Sequence, residues 1–210
     1  MIAVVLNGDT KSALASVRSL GARGIAVICG AEKRSAMALH SKYVSKRFIY
    51  RSPLANPDGF LEDVIRACGQ SAEPPVLFVF SDAAYLALAR NRARWEGKAR
   101  MPLPSAENVE RAFDKEATIT LAESLGIPVP FTGGITADTD FDNVFWECRT
   151  IPIVVKPRHS ASWKGKKGAF GSVSYAFSAS ELRDIARAMH ERFGEYPIVE
   201  SYIQFGEYGF

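Results

Sequence analysis

The chain has 210 residues, 47% hydrophobic and 23% charged, with 16 Gly and 11 Pro, a composition that excludes disordered, collagen-like and other fibrous proteins. A chain this long can bury roughly 70% of the surface its unfolded form exposes, enough for one large core or two modest ones. Its 26 Lys+Arg against 23 Asp+Glu leave a net charge of +3, too small an excess to imply nucleic-acid binding unless the basic residues cluster.

The first hundred residues alternate short β-rich runs with helical patterns, as a parallel sheet with crossover helices requires. Ile2 to Leu6 reads as a buried strand; with no basic stretch before it and no small-residue cleavage site after it, it is not read as a signal peptide. Asn7 to Thr10 is turn material, and Ala13, Leu14, Val17 and Leu20 then recur at helical spacing until Gly21 and Gly24. Ile25 to Ile28 and Arg47 to Tyr50 are the next strands, and Phe60, Leu61, Val64, Ile65 and Cys68 mark one face of a helix. Val76 to Phe80 is a fourth, fully apolar strand, followed by a helix from Asp82 to Trp95. The series is doubly wound, with its ligand crevice at the C-terminal strand ends. The turns Asn7–Thr10 and Ser81-Asp82 fall there, although a helix N-cap accounts equally well for Ser81 or Asp82.

Glu96 to Pro104 reads as a linker. Beyond it come a helical stretch from Ser105 to Gly126 with a break near Asp114, an extended segment from Ile127 to Thr132, and a short helix around Phe141 to Cys148. Pro152 to Lys156 and Ser172 to Phe177 are strands separated by a basic, glycine-containing loop. Ser178 and Glu181 make a capping box for a helix with Leu182, Ile185, Ala186, Met189 and Phe193 on one face, and Ile198 to Ile203 is the last strand. No segment approaches the ~18 consecutive apolar residues of a membrane span. Cys29, Cys68 and Cys148 are widely spaced and fit neither a zinc site nor a disulfide framework, so small buried hydrophobes in a reducing cytoplasm are expected.

The densest chemical signal runs from Val154 to Ser172. Lys156 ends an apolar strand, and the following loop holds Lys164, Lys166, Lys167, Gly165, Gly168 and Gly171. Glycines let backbone N–H groups approach an anion, and ammonium groups neutralise it. This is the composition of a flap over phosphates, or else of a solvated hairpin loop that is basic by chance. It is not a Walker A loop, and Asn7-Gly8-Asp9 has one glycine where a dinucleotide fingerprint needs three. His40, His159 and His190 match no metal spacing; His159, beside Arg158 and the basic loop, is a weaker ligand candidate.

Five ordered motifs resemble the ATP-grasp superfamily, in particular its carbamoyl-phosphate-synthase-like branch of carboxylate–amine ligases. They are Leu103-Pro104-Ser105 with Asp114-Lys115, Leu125 to Pro130, Val154-Val155-Lys156-Pro157, the Gly/Lys loop, and Val199 to Ile203 with Gly206-Glu207. The resemblance implies an α/β chain in two parts: a Rossmann-like pre-ATP-grasp domain over residues 1–101, and the first, α+β part of an ATP-grasp domain over 102–210, truncated at its C-terminus. It implies that Lys115 and Lys156 reach nucleotide phosphates and that Lys164, Lys167, Gly168 and Gly171 belong to the flap. Glu200, Ser201, Tyr202 and Ile203 would read the adenine edge through their backbone, and Glu207 would accept from the ribose hydroxyls.

The implied activity is an ATP-dependent ligation of a carboxylate with an amine or thiol through an acyl phosphate. Mg²⁺ is expected for the complete enzyme, but its ligands and any catalytic residue would lie beyond this chain. Expected partners are ATP and small carboxylate and amine substrates, with a homodimer or a separately encoded C-terminal half also in view, and neither nucleic acid nor membrane. The alternatives are a non-catalytic nucleotide-binding or assembly module and an inactive truncated product.

Overall fold

The computed structural model describes residues 1–70, 73–164 and 167–204, without the side chains of residues 164 and 167. The described residues form two compact units, one of Met1–Val109 with residues 167–168 and one of the described residues from Glu110 onward, without 167–168.

The first unit contains β1 (Ile2–Val5), α1 (Lys11–Ala22), β2 (Ala26–Ala31), a 3₁₀ turn (Met37–His40), β3 (Val44–Ile49), α2 (Pro57–Cys68), β4 (Val76–Phe78), α3 (Asp82–Arg90) and α4 (Arg92–Trp95). The strands form one parallel sheet in the order β3-β2-β1-β4. Successive side chains of a strand face opposite sides. Val4 and Leu6 therefore join Phe60, Leu61 and Leu88 on one face, while Val5 packs with Ala13, Val17 and Leu39 on the other. Burial on both faces is why the central strands β1 and β2 read as apolar runs, while β3, at the edge, carries Ser45, Lys46 and Arg47.

Local chemistry sets the ends of these elements. Thr10 caps α1 through Ala13 N–H (3.1 Å), and Asn56 caps α2 through Gly59 N–H (2.9 Å), with Pro57 at the first helical position. β4 stops at Phe78 rather than Phe80, because the Phe80 N–H leaves the ladder and donates to Asn7 Oδ1 at 3.0 Å. The helix expected to run to Trp95 divides at Asn91, whose side-chain amide donates to the Ala87 carbonyl at 2.9 Å. The segment expected as a linker runs instead beside β4: Arg100 N–H donates to Pro75 O and Arg100 O accepts from Leu77 N–H, both at 2.8 Å. Its alternating Ala99, Met101 and Leu103 pack on the first core, which explains the attachment.

The helical stretch after it breaks at Asp114 as expected, giving α5 (Ala106–Phe113) and α6 (Lys115–Ser124), with the Asp114 carboxylate capping α6 through Ala117 N–H at 3.2 Å. The remaining elements are β5 (Thr132–Gly134), α7 (Phe141–Glu147), β6 (Ile153–Lys156), β7 (Ala161–Lys164), β8 (Lys167–Phe170), β9 (Ser174–Ala176), α8 (Ala179–Phe193) and β10 (Ile198–Ser201). The second unit's main sheet is antiparallel in the order β5-β10-β6-β9. Ile153, Val155, Ala176 and Val199 face α7 and α8, meeting Phe141, Phe145, Leu182, Ala186 and Phe193. The opposite face carries Val154, Lys156, Tyr175, Ile198 and Glu200, from the register Val154↔Tyr175, Val154↔Glu200 and Lys156↔Ile198.

The expected basic loop is a two-stranded hairpin, β7 paired with β8. Ser178 caps α8 through Glu181 N–H at 3.2 Å, and the Glu181 carboxylate returns to the Phe177 N–H at 2.7 Å, one residue earlier than the usual capping box. No helix among the described residues is long and apolar enough to cross a membrane. All three cysteines are buried and free, and burial pushes each thiol up to about 11.

Candidate functional site

The second unit gathers charge at one end of β6. Lys156 closes that strand, on the sheet face away from α7 and α8, and its ammonium is ion-paired with Glu200 of β10. Glu200 side chain exposure is only 7%, against 29% for Lys156, so the carboxylate is fixed inside and the ammonium is directed outward. An ammonium has three donors; Glu200 takes one and leaves two for an anion.

Lys115 reaches the same backbone segment from α6. Its Nζ donates to Pro157 O at 3.0 Å and to Ser160 Oγ at 3.1 Å. The helix start is tied there by Lys115 N–H to Arg158 O, at 3.2 Å. Lys115 thus bonds to the segment that directly follows Lys156 in the chain, Pro157 to Ser160.

Arg158 holds this junction in place. Its Nε and guanidinium NH₂ donate to Asp114 at 2.6–3.0 Å, and a further nitrogen lies 2.7 Å from Glu116. Burial pushes the Asp114 carboxyl up, but the hydrogen bonds from Arg158 and Ala117 outweigh it and hold the group below the usual carboxylate range. On the other side Glu195 accepts from Ser162 Oγ at 2.8 Å and pairs with His159 Nδ1 at 2.9 Å. Here too burial raises the carboxyl and the His159 and Ser162 contacts bring it below its ordinary value. Arg158 and Glu195 also line a shallow pocket with Glu116, Ile135, Thr136 and Tyr196.

The hairpin joins the site through Gly171. Its N–H donates to Ser160 O at 3.0 Å, and a Cβ built there would lie 2.2 Å from Pro157 Cγ, so only glycine fits against that ring. Gly168 lies in β8, and the side chains of Lys164 and Lys167 are outside what is described.

At the end of β10 the backbone is already engaged. Ser201 N–H donates to Phe131 O at 3.0 Å and Tyr202 N–H to Thr150 Oγ1 at 2.8 Å, while Ser201 Oγ donates to Cys148 O at 2.6 Å. Tyr202 meets Tyr175 edge to face, with ring centres 6.2 Å apart, and both rings are exposed enough to take a stacked plane. Ile203 is exposed, and Glu207 lies outside the described residues.

The donor set of Lys115 and Lys156 suits phosphate oxygens. It does not suit Mg²⁺, a hard cation that needs several fixed oxygen ligands: among the described residues no group of three or more His, Cys, Asp or Glu is placed to hold a metal ion. Sequence reasoning did not find Glu195, and it did not find Arg158 as the partner of Asp114; both bonds close over more than thirty residues, and no local pattern encodes them.

In the first unit, the turns at the strand ends are occupied internally. Ser81 caps α3 through Ala84 N–H at 3.3 Å. Asn7 adopts φ 58° and its side-chain amide donates to Ser81 Oγ and to the Tyr50 hydroxyl.

No family model matches the chain, and no curated protein matches it. Solved structures do. N5-carboxyaminoimidazole ribonucleotide synthetase from Thermus thermophilus aligns over 98% of this chain and 48% of its own, with TM-score 0.63 and 19% identity. The corresponding Staphylococcus aureus synthetase, complexed with ADP, aligns over 98% and 48%, with TM-score 0.65 and 14% identity. The biotin carboxylase domain of Hydrogenobacter thermophilus 2-oxoglutarate carboxylase, in complex with MgADP, ADP and bicarbonate, aligns over 96% and 44%, with TM-score 0.63 and 16% identity. The chain therefore shares the fold of about half of each of these structures and spans about half their length.

Proposed function

We propose that the chain is the nucleotide-binding portion of an ATP-dependent ligase that joins a carboxylate to an amine or thiol through an acyl phosphate. The observation that carries this reading is that Lys115 bonds to the segment directly following Lys156, Pro157 to Ser160, at the end of a buried strand and beside a glycine that only its size admits. In this reading residues 1–101 are the pre-ATP-grasp domain and 102–210 the first part of the ATP-grasp domain.

Lys156, oriented by Glu200, and Lys115 hold the α- and β-phosphates, with the backbone around Gly171 beside them. Positive charge held in a preorganised site stabilises the charge that develops on a transferring phosphoryl group. Because the amides of Ser201 and Tyr202 are already bonded, recognition of the base edge passes to the chain beyond them, including Ile203, with the Tyr175–Tyr202 pair against the ring plane. Glu207 is retained as the ribose acceptor. Mg²⁺ and the carboxylate and amine sites require groups beyond those described, and the three free thiols suit a reducing cytoplasm.

Calorimetric titration with ATP tests the reading. Wild-type protein should bind, Lys156→Ala should bind at least tenfold more weakly, and Lys115→Ala should weaken binding in the same direction. Equal heats in wild type and both variants would remove the two lysines from a phosphate site. ATP binding that persists without turnover when carboxylates and amines are supplied would favour a non-catalytic nucleotide-binding module.

A further inference from the structure

The small net charge of +3 conceals an uneven distribution. Residues 33–51 contain Lys33, Arg34, Lys42, Lys46, Arg47 and Arg51 and no Asp or Glu. Arg51 is neutralised by Glu62 and Asp63. The other five are exposed, and none has a carboxylate partner among the described residues. Basic residues on an edge strand such as β3 are an ordinary guard against strand-to-strand association, and that accounts for Lys46. It does not account for the recess beside them.

Arg34, His40 and Arg47 line one concavity of about 350 Å³ with Leu39, Phe48 and Ile49. The size is within the range of small-molecule pockets. Arg47 and Ile49 alternate with Phe48 along β3 and share one face of the strand, and Ile49 is 41% exposed there. His40 Nε2 lies 3.2 Å from Arg34 O, which ties the imidazole to the backbone that carries the first guanidinium. Two guanidinium groups suit the paired oxygens of a phosphate, and the exposed aliphatic side chain of Ile49 beside them suits an apolar body.

We infer that this recess, in the first unit and separate from the Lys115/Lys156 site, binds a phosphate monoester of a small apolar or aromatic molecule. The phosphate sits between Arg34, His40 and Arg47, and the apolar part lies on Ile49.

Calorimetric titration of the full chain with phenyl phosphate and with inorganic phosphate is the test. Phenyl phosphate should bind more tightly than inorganic phosphate. Arg34→Gln and Arg47→Gln should each weaken it about tenfold, the order expected for one charge-assisted contact. Lys156→Ala should leave it unchanged, whatever that variant does to ATP. Both arginines are exposed, and unaltered melting temperatures would show the variants folded. Equal affinity in wild type and in the Arg34→Gln/Arg47→Gln double variant would overturn the assignment. So would tighter binding of a 20-base-pair DNA duplex that falls equally on replacing Lys33, Lys42 or Lys46, since that pattern belongs to a diffuse surface and not to a recess.

Discussion

Lys156 and Glu200 sit on adjacent antiparallel strands, diagonal to each other across the pair Lys156↔Ile198, and their ion pair bridges the two strands at the edge of the proposed phosphate site. Removing the lysine strands a carboxylate of 7% exposure. Breaking a fully buried pair costs about 3–5 kcal/mol; because the ammonium keeps part of its contact with water, Lys156→Met should cost about 2 kcal/mol. Urea denaturation measures it, and Lys156→Met combined with Glu200→Leu should recover most of the loss. A single variant as stable as wild type would show that Glu200 is not held by this lysine.

The Asp114 cap gives a pH dependence of definite sign. Its carboxyl is held below the ordinary value in the folded chain, so on acidification the unfolded chain takes up the proton first. The stability it contributes is complete above the ordinary carboxylate pKa of about 4 and is lost as pH falls through the lower folded value. Glu195 acts in the same direction. Asp114→Asn should therefore be less stable at pH 7 and show a shallower decline between pH 5 and pH 3 in urea titrations. An unchanged slope would contradict the role assigned to Arg158.

Gly171→Ala should strain the hairpin against Pro157, where the added carbon would lie 2.2 Å from Cγ and 2.7 Å from Cβ. Overpacking of this kind costs about 1–3 kcal/mol. Thermal melting should show the loss, and ATP binding should weaken with it because Ser160, bonded to Gly171 N–H, also accepts from Lys115. A variant that melts and binds like wild type would mean that the hairpin moves aside freely.

Asn7→Gly tests the node between strand ends without altering the left-handed backbone, since glycine accepts φ 58°. It removes the side-chain bonds to Tyr50, Ser81 and Phe80 N–H, at 3.3, 3.0 and 3.0 Å. A loss of about 2 kcal/mol is expected for buried polar groups left without partners. It should appear as a lower melting temperature, and a smaller loss than an exposed Asn→Gly control would remove the node from the account.

The three cysteines should resist a thiol-reactive disulfide reagent at pH 8, because each is buried and raised to about 11. All three should react once the chain is unfolded in urea. Rapid reaction of any one in the folded chain would contradict its place in the core.

The parallel sheet was legible because two-sided burial writes itself as apolar runs, and the break at Asp114 because a helix-capping carboxylate stands inside a helical pattern. Three features were not. β5 is Thr132 followed by two glycines, which carry no side-chain period. The strands of the β7/β8 hairpin, Ala-Ser-Trp-Lys and Lys-Gly-Ala-Phe, are too short and too mixed with Lys and Gly to show a strand period. The partners of Arg158 and His159 are set by tertiary contact across 44 and 36 residues, beyond any local signal.

β10 comes last in sequence among the described strands of the second unit, yet it lies inside the sheet, between β5 and β6. Synthesis delivers Thr132–Gly134 long before its partner exists, and β6 and β9 can meet at first only as a two-stranded ribbon. A nascent chain that has not yet released Ser201 therefore holds two unsealed strand edges, the kind of surface chaperones cover. Birth order and spatial order run against each other here, so β5 and β6 are joined only after β10 leaves the ribosome.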